Sequence, residues 1–380
     1  MQYGKKFMML KSLKIAHLTS VHKRFDSRIF NKQCISLSKK DNYDVCLIVA
    51  DGLGSASKDN INIYDVGSSK NRFDRVFISV KKIYLKALDL DCDVYHLHDP
   101  ELLNIGLKLK NQGKKVIFDS HEDVSEDIMI KDWIPVYLRK FISFIYNAYE
   151  KSICKQLDFV ISATPYIRNK FQEKGIKSLD IKNYPLKEDF DYQKTNWDDK
   201  KDEICYVGEI SKERGIIELI NSLEYLKNIR LNLVGSFSDS NLKSRCEKMK
   251  GWSKVNELGF LSKKEIDKVF NNSKLGIVTL HPTKTYLPSI PVKIFEYMAA
   301  GLPIVCSNFD YWDELIFKKY KCAVKVNPLS SSEIADAVEL LIYSDIDSKK
   351  MIEEGTRAIK ETFNWNIEEK KLYDVYNSLN

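Results

Sequence analysis

The sequence lacks several features that would narrow its function at once. Its eight cysteines are far apart and form no CxxC pair, so we predict neither a zinc ribbon nor a compact disulfide framework, and expect reduced thiols. No apolar run approaches the roughly 18 residues that a membrane-spanning helix needs. Lys plus Arg exceeds Asp plus Glu only by 60 to 53, too small and dispersed a surplus for a dedicated nucleic-acid binder. A phosphate-bearing ligand or an anionic membrane surface suits this charge better.

The N-terminal residues also lack the apolar centre of a secretory signal, because lysines flank the short apolar run from Phe7 to Leu10. We therefore expect a cytoplasmic protein, and peripheral binding to the inner face of the cell membrane stays open. Residues 131–149 bear on this point, since they mix aromatic and aliphatic side chains with Arg139 and Lys140. An interfacial helix on anionic lipid has this composition. A buried core helix with basic ends has it too, and we favour the core helix.

With 380 residues, 44% of them hydrophobic, the chain is long enough for two or three domains. Short β-branched or aromatic runs alternate with longer segments of helical period, which predicts βαβ units around buried parallel sheets. The predicted strands of the first half lie at residues 14–18, 45–49, 94–98, 116–118 and 159–162. Those of the second half lie at residues 204–207, 231–234, 275–278, 304–306 and 323–326.

A polar stretch at residues 189–203 interrupts this alternation and is predicted to be an interdomain linker. We therefore expect an N-terminal Rossmann-like domain at residues 1–185 and a C-terminal one at residues 186–364, facing each other across a cleft. Residues 365–380 have a helical pattern and are expected to pack back on the first domain. In such sheets ligands bind beyond the carboxyl ends of the strands, so residues just after each strand are the candidates for function.

The segment from Ser289 to Pro303 is the sharpest candidate for chemistry. Pro291 suits the first helical position and Gly301 the C-terminal cap, which predicts a helix of about three turns. The free N–H groups at its start favour an anion such as a diphosphate. Lys293 and Glu296 are three residues apart and share a face of the helix. A nucleotide requires such a pair, a cation for its phosphate and a carboxylate for its ribose hydroxyls. A surface helix with an ion pair between these two side chains explains the spacing equally well.

In the first half, histidines and carboxylates follow two strands, although the chain has only six histidines. Alone, this group could be a metal site, because imidazole and carboxylate at such spacing suit zinc or a hard divalent ion. The period of a strand puts His96 and His98 on one side of it, with only His98 near its end. For these two histidines we favour a structural role. The whole group of histidines and carboxylates comprises His96, His98, Asp99, His121, Glu122 and Asp123.

The residues from Pro291 to Pro303, PVKIFEYMAAGLP, resemble the donor-binding helix of GT-B glycosyltransferases, in particular the retaining glycosyltransferase family 4. The resemblance covers almost the whole chain and implies that Glu296 holds the nucleotide ribose while Lys293 binds the diphosphate. The family often has a further Glu eight positions earlier, where this chain has Pro288. Donor-sugar contacts there are expected instead from the backbone of Leu287 to Ile290, with Ser289 and Ile290 as donor-binding residues.

A second segment, residues 206–216, resembles the family's strand, glycine turn and basic residue before a helix. The resemblance implies that Gly208 and Arg214 contact the diphosphate, since a tight turn and a cation together build a phosphate cradle. Many members carry another Arg where this chain has Glu209, so Lys212 is expected to supply that charge. A solvated helix start is the alternative for both basic residues. Base contacts are expected from the backbone at Gly259 and Phe260.

The resemblance also aligns His121 with a histidine that contacts the donor sugar near the scissile bond, so the implied catalytic residues are His121, Arg214 and Lys293. The loop at residues 19–30 sits where the family usually has a glycine-rich loop. Its Arg24, Asp26 and Arg28 are expected on the acceptor side, and its pattern is similar to that of a branch associated with polysaccharide and surface-glycan assembly. A loop ion pair between Asp26 and Arg28 is the alternative.

The resemblance therefore implies transfer of a sugar from a nucleotide-diphosphate donor to a hydroxyl of a glycan or lipid-linked saccharide, with retention, in cell-surface polysaccharide biosynthesis. We expect front-face displacement, without metal or other cofactor, because Arg and Lys neutralise the leaving diphosphate. No nucleic-acid partner is expected. A non-hydrolysing nucleotide-sugar epimerase of the same fold is the main alternative. A metal-dependent hydrolase built on His98, Asp99, His121 and Glu122 is a weaker one.

Overall fold

The computed structural model describes residues 12–131, 134–186 and 196–379, which form two compact α/β units. The first unit consists of two segments, the residues up to Asn183 and those from Glu368 onward. The second unit extends from Tyr184 to Ile367. These boundaries lie within a few residues of the predicted ones. Much of the predicted linker falls outside the described residues, and its last residues, from Lys201, already belong to a strand of the second unit.

The first unit is built on an eight-stranded sheet of order β3-β4-β2-β1-β5-β6-β7-β8, in which only the β3–β4 pair is antiparallel. Its central strands are nearly continuous apolar runs because both faces of a parallel sheet are buried. The strands are β1 Leu13–Leu18, β2 Tyr43–Val49, β3 Ala56–Lys58, β4 Ile61–Asp65, β5 Val94–Leu97, β6 Lys115–Ser120, β7 Phe159–Ser162 and β8 Ser178–Asp180.

Helices and short helical turns connect the strands of this sheet. A π-helical turn at Ile29–Cys34 leads into the first helix, a second π-helical turn at Arg75–Ser79 joins the next two, and a 3₁₀ turn at Pro100–Leu102 precedes the fourth. The helices are α1 Ile35–Ser38, α2 Arg72–Asp74, α3 Val80–Leu90, α4 Leu103–Asn111, α5 Val124–Ile130, α6 Val136–Cys154 and α7 Pro165–Glu173.

The second unit contains a six-stranded, all-parallel sheet of order β11-β10-β9-β12-β13-β14. Apolar side chains form a cluster on either face of this sheet, one around Ile204 and Leu231 and the other around Cys205 and Tyr297. The strands are β9 Lys201–Val207, β10 Arg230–Val234, β11 Val255–Gly259, β12 Ser273–Val278, β13 Ile304–Ser307 and β14 Ala323–Val326.

The helices of the second unit alternate with these strands, as the sequence pattern predicts. Short 3₁₀ turns lie at Trp197–Asp199, Lys212–Arg214 and Lys250–Lys254, and a π-helical turn lies at Asp313–Phe317. The helices are α8 Ile216–Ser222, α9 Ser240–Glu247, α10 Lys263–Asn272, α11 Val292–Ala299, α12 Asp310–Trp312, α13 Ser331–Tyr343 and α14 Asp345–Glu361. They are followed by α15 Trp365–Asn377, most of which belongs to the first unit.

The last helix, α15, packs on the first unit, as predicted for residues 365–380. Tyr376 is fully buried there and its hydroxyl lies 2.9 Å from Nδ1 of His96, while the Tyr373 hydroxyl donates to the carbonyl of Ser36. The first unit is therefore not contiguous in sequence, because the chain returns to it after completing the second.

Helix α6 differs from the prediction of a core helix. Its buried side chains are Glu150, Ile153 and Cys154, near its end. Large apolar side chains earlier in the helix are exposed, including Tyr137, Phe141 and Phe144, the last with 71% of its surface accessible. Of the described helices, none has both the length and the apolarity to cross a bilayer. The prediction that α6 is buried in the core is therefore wrong.

Candidate active site

In both sheets the strand order reverses at the first strand of the unit. Polar residues follow the strands at that point. In the second unit, β9 lies between β10 and β12, and in the first unit β1 lies between β2 and β5. Connections leave such neighbouring strands on opposite sides and open a crevice at their carboxyl ends, where α/β proteins bind ligands. The candidate residues of each unit are therefore those after β9 to β12 and those after β1, β5 and β6.

The second unit has a cavity of about 410 Å³ at this edge. Residues after β9, β10 and β11 form most of its wall, and Lys293 reaches it from α11. Of the predicted donor-binding residues, Gly208, Phe260 and Lys293 lie together here. The lining residues are Val207, Gly208, Glu209, Val234, Gly235, Ser236, Phe237, Ser238, Phe260, Leu261, Ile266 and Lys293.

Glycines allow three strand ends to approach closely in this wall. The Gly208 amide donates to the carbonyl of Val234, and the Gly235 amide donates to the carbonyl of Gly259 at 2.8 Å. Gly235 has a φ of +138°, and a Cβ atom there would lie 1.7 Å from the carbonyl oxygen of Gly208. A side chain at Gly235 would therefore force the strands apart. Sequence analysis missed Gly235, although it follows a predicted strand directly.

Arg214 ends the 3₁₀ turn that follows β9, and its guanidinium reaches back over Gly208. An added Cβ on Gly208 would be 3.8 Å from Arg214 Nη1, and Arg214 Nη2 lies 3.5 Å from Glu209 Oε2. Nε of Arg214 is buried without a hydrogen-bond partner among the described residues. Such a donor is costly unless a ligand satisfies it. Lys212 is exposed on the same turn.

Helix α11 carries Lys293 and Glu296 as an ion pair, the alternative that the sequence left open. Lys293 lines both the first cavity and a neighbouring one of about 210 Å³, which Glu296 also lines. The pair therefore lies between two adjoining spaces. The helix has eight residues, about two turns and not three, with Pro291 as the residue before its first turn. Gly301 follows its C-terminal end with a φ of +67°.

The backbone before α11 is largely engaged within the unit. The Ser289 amide donates to the carbonyl of Tyr286, and the Ser289 carbonyl accepts from Nε1 of Trp312 at 2.6 Å. Ile290 is half-buried against the core. The Ser289 carbonyl keeps a second lone pair, so the donor-sugar contacts at Ser289 and Ile290 both stay predictions.

In the first unit, the three charged residues after β1 each have a different partner. Arg24 donates two hydrogen bonds to Asp51, and Asp26 accepts the amides of Arg28 and Ile29. The Arg28 guanidinium is buried and binds both oxygens of Asp119 and the carbonyl of Ile181. The alternative of a side-chain ion pair between Asp26 and Arg28 is therefore wrong. Arg28 holds Asp119 in place, which replaces the predicted acceptor contact.

His121 follows β6 at the edge of a cavity of about 490 Å³, with His22, His98 and Asp99 also in its wall. Nε2 of His121 is 3.3 Å from Asp119 Oδ2 and 3.4 Å from His98 Nδ1. Burial opposes ionisation of His22, but its hydrogen bond to Asp26 and the nearby Asp99 outweigh burial and raise the pKa of His22. Five of the six histidines therefore meet in this unit, including His17, which sequence analysis missed.

The histidines considered for a metal site meet Asp119, and not Asp99, Glu122 or Asp123, in the groups of possible ligands that the described residues form. Ligand atoms of His98, Asp119 and His121 lie within 4.8 Å of one another, as do those of His17, His96 and His98. Asp119 Oδ2, however, already accepts from Nε of Arg28 and from Nε2 of Gln33. A cation there would compete with a buried guanidinium for the same oxygen. These residues fit a hydrogen-bonded cluster better than a metal site.

A pair of carboxyl groups in the same cavity wall was also missed. Glu122 and Asp127 both line the cavity, and burial together with the hydrogen bond to Glu122 raises the pKa of Asp127 to about 7. Two carboxylates that close cannot both ionise without cost, so the pair holds a proton near neutral pH. The positions are five apart across a loop and a helix start, a spacing with no simple periodicity.

Comparison with known proteins assigns each half of the chain to a family. The family model described as "Glycosyl transferases group 1" matches residues 187–358, and the model described as "Glycosyltransferase Family 4" matches residues 36–182. A curated relative is the chitobiosyldiphosphodolichol beta-mannosyltransferase of Kluyveromyces lactis, 31% identical over 117 residues. That match covers 30% of this chain and only about a quarter of the relative's length, 24%.

Solved structures match almost the full length of the chain. A sucrose-phosphate synthase from Thermosynechococcus elongatus superposes with a TM-score of 0.77 at 14% identity, covering 97% of this chain and 99% of that one. HepE of Anabaena in complex with UDP-glucose gives 0.72 at 15% identity, covering 96% and 100%. A glycosyltransferase from Rickettsia africae gives 0.71 at 16%, covering 97% and 98%. At these identities the likeness concerns the fold.

Proposed function

Because this chain belongs to glycosyltransferase family 4 and has the GT-B fold, we propose that it transfers a sugar from a nucleotide-diphosphate donor to a hydroxyl of a glycan or lipid-linked saccharide. The observation that carries this proposal is the buried, unpartnered Nε of Arg214 beside the glycine-walled cavity after β9. A pre-oriented guanidinium with an unsatisfied donor suits a phosphate oxygen.

The donor lies in the second unit in this proposal. Its diphosphate meets Arg214 and Lys293, with Lys212 as a further charge, while the ribose hydroxyls bind the Glu296 carboxylate. The base lies towards Gly259 and Phe260, and the exposed Phe260 ring offers it a stacking surface. Lys293 is currently paired with Glu296, so donor binding exchanges that ion pair for contacts with the ligand. That HepE was solved with UDP-glucose supports a nucleotide-sugar donor.

We propose front-face displacement with retention for the chemical step. The glycosidic C–O bond of the donor breaks, the acceptor oxygen bonds to the anomeric carbon on the same face, and the departing phosphate oxygen takes the acceptor proton. Arg214 and Lys293 neutralise the charge that grows on the diphosphate, so no metal is required. His121, in the first unit, is the proposed side-chain contact to the transferred sugar. Asp26 and Arg24 stay proposed neighbours of the acceptor.

The ribose assignment predicts that Glu296→Ala abolishes donor-dependent stabilisation. A ligand at a hundredfold excess over its Kd stabilises the folded state by about 2.7 kcal/mol, roughly 5 to 10 °C for a domain of this size. Wild type and variant are heated with a panel of nucleotide sugars in the presence of EDTA. The nucleotide sugar that raises the melting temperature of the wild type should not raise that of the variant. The two ribose hydroxyls of the nucleotide lose the Glu296 carboxylate that accepts their hydrogen bonds.

Glu314→Ala is the matched control, since Glu314 pairs with Lys318 on the same unit and is remote from both cavities. It should keep the full shift. An equal shift in wild type and Glu296→Ala would refute the ribose site. Conversion of the stabilising nucleotide sugar into another nucleotide sugar, with no acceptor present, would instead indicate the epimerase. A requirement of sugar transfer for a metal ion would contradict the proposed neutralisation of the diphosphate by Arg and Lys.

We also propose that the protein is cytoplasmic and binds the inner face of the cell membrane through α6. Val136, Tyr137, Phe141 and Phe144 are exposed along this helix, and Lys140 is exposed among them. Apolar side chains flanked by basic ones suit an anionic lipid surface. The mannosyltransferase relative acts, by its name, on a dolichol-linked saccharide, which supports a lipid-linked acceptor. The role in cell-surface polysaccharide biosynthesis is part of the same proposal.

Replacing Phe141 and Phe144 together by serine should weaken binding to vesicles that contain anionic lipid by at least about tenfold, because two large apolar side chains no longer leave water. Sedimentation with vesicles measures this. The control is the pair Leu340→Ser and Ile346→Ser, two exposed apolar residues of the second unit. Equal binding by wild type and the phenylalanine variant would contradict this membrane surface.

A further inference from the structure

A continuous line of polar rings runs through the first unit from α15 to His121. Nδ1 of His96 lies 2.9 Å from the Tyr376 hydroxyl, which in turn lies 3.5 Å from Nε2 of His17. Nδ1 of His17 lies 2.8 Å from Nε2 of His98, whose Nδ1 is 3.4 Å from Nε2 of His121. All but His121 are buried almost completely. No role in the reaction described above requires these four buried side chains.

One end of this line faces a fixed anion. Asp119 is completely buried, and Arg28 and Gln33 donate three hydrogen bonds to its two oxygens. Burial alone would raise the pKa of Asp119, but the Arg28 guanidinium and His121 hold it well below its usual range. Its Oδ2 lies 3.6 Å from His98 Nδ1 and 3.3 Å from His121 Nε2. Both nitrogens are therefore favoured to carry hydrogen atoms.

The three buried histidines are neutral, so each has one donor and one acceptor nitrogen. Burial lowers the pKa of His17 and His96 well below the usual value, and that of His98 to about 3. With Nδ1–H of His98 directed at Asp119, Nε2 of His98 accepts from Nδ1–H of His17. Nε2 of His17 then accepts from the Tyr376 hydroxyl, and the Tyr376 oxygen accepts from Nδ1–H of His96.

The opposite direction of all these bonds is disfavoured at both ends. It would point a lone pair of His98 towards the Asp119 carboxylate. It would also leave an N–H on Nε2 of His96, which has no hydrogen-bond partner among the described residues. A buried donor without a partner is rarer and more costly than a buried acceptor without one. Both ends therefore select the same direction.

We propose that Tyr376, His17 and His98 are positioning residues: their one-way hydrogen-bond chain turns Nδ1–H of His98 towards Asp119, so that Asp119, and not His98, accepts Nε2–H of His121. His121 then holds its Nε2–H on Asp119 and keeps Nδ1 free to accept a hydrogen bond from a sugar hydroxyl. The proposal rests on the proposed function for the role of His121, but not for the direction of the chain. Helix α15 takes part in this positioning, because it supplies the Tyr376 hydroxyl that donates to Nε2 of His17.

The direction of the chain is measurable without any substrate. Histidine labelled with ¹⁵N distinguishes Nδ1–H from Nε2–H tautomers by NMR, and single His→Gln variants assign the signals. We expect Nδ1–H tautomers for His17, His96 and His98, and the Nε2–H tautomer for His121. In Tyr376→Phe, His17 and His96 should become mixtures of tautomers. Nε2–H tautomers of His17 and His98 in the wild type would overturn the proposal, whatever the enzyme's substrate.

The kinetic test uses two tyrosines of one helix. Tyr376→Phe should lower kcat by about three- to tenfold, as expected for one lost hydrogen bond, while KM for the donor stays within about twofold. Tyr373→Phe is the matched control, because its hydroxyl donates to the carbonyl of Ser36 outside the chain. It should keep both kcat and the histidine signals. Equal kcat values for the two variants, with unchanged tautomers in Tyr376→Phe, would refute the positioning role.

Discussion

Replacing Arg214 by alanine is expected to lower kcat about 100- to 1000-fold, with a much smaller change in KM for the donor. The physical reason is the growth of charge on the diphosphate as the sugar departs. A guanidinium that is already in place stabilises this charge without reorganising at the moment of reaction. Arg214 meets that condition, because its Nε is buried without a partner among the described residues and its Nη1 lies over Gly208.

Steady-state kinetics on three variants separates this role from loss of general positive charge. Arg214→Lys retains the charge but loses the planar fork, so its kcat should lie between those of wild type and Arg214→Ala. Arg230→Ala is the control. Arg230 begins β10, at the opposite end of the strand from the cavity, and its guanidinium donates to Oδ1 of Asn256. The Arg230→Ala variant should keep kcat within about twofold of the wild-type value, because a remote surface substitution has only a small effect.

A kcat of Arg214→Ala within a few-fold of wild type would show that the leaving group is neutralised elsewhere. In that case the same experiment on Lys212→Ala and Lys293→Ala would identify the residue, since these are the other two basic side chains assigned to the diphosphate. A rise in KM alone, without a change in kcat, would mean that Arg214 binds substrate and transition state equally well.

The pattern of apolar runs predicted the two α/β units and their central strands correctly. Parallel strands are buried on both faces, so runs such as that in β2 stand out from the helices around them. Four strands were missed: β3, β8 and β11 are edge strands, and β4 lies next to the edge strand β3. The edge strand β3 is fully exposed, and polar residues in such a strand give no apolar run to detect.

The candidate site was predictable where it follows a strand directly, and less so where partners come from distant parts of the chain. Arg214 and Lys293 belong to local segments that a resemblance can identify. The partner of Arg28, in contrast, is Asp119, 91 residues away, and no local spacing could distinguish it from Asp26. His17 is central to the histidine chain, yet in sequence it stands alone inside an apolar strand, where a buried structural residue is the default expectation.

The misjudged surface of α6 has a similar cause. An amphipathic helix and a core helix with basic ends share one composition, and only packing distinguishes them. Here α5 packs against α6 through the bond from Ser143 to the carbonyl of Ser125, which leaves Phe141 and Phe144 uncovered. Composition alone therefore could not decide whether this face meets protein, lipid or water.

The histidine chain also makes the first unit sensitive to acid. In the unfolded chain histidine binds a proton below about pH 6.5, whereas burial keeps His17, His96 and His98 neutral in the folded unit. The unfolded state then binds three more protons, so stability falls as the pH falls. Asp127 opposes this by one proton, because its folded-state pKa of about 7 lies above its unfolded value. The net difference of two protons corresponds to about 3 kcal/mol for each pH unit.

Between pH 6 and pH 5 the free energy of unfolding of the first unit should therefore decrease by about 3 kcal/mol. Asp119 and Asp26 do not contribute in this window, because a lowered carboxyl pKa is felt only below the unfolded value near 4. His22, whose pKa is raised, is protonated in both states there and affects only higher pH. Urea unfolding at the two pH values, followed through the imidazole signals of this unit, measures the slope.

His96→Gln removes one of the three titrating rings and should reduce that slope by about 1.4 kcal/mol per pH unit, since the unfolded state then binds one proton fewer. Tyr376→Phe is the necessary comparison, because it removes a hydroxyl from the same cluster but no titrating histidine. It should lower stability at both pH values equally and leave the slope unchanged. If His96→Gln and Tyr376→Phe gave the same slope as the wild type, His96 would have to be protonated in the folded unit, and the one-way chain of neutral histidines could not exist.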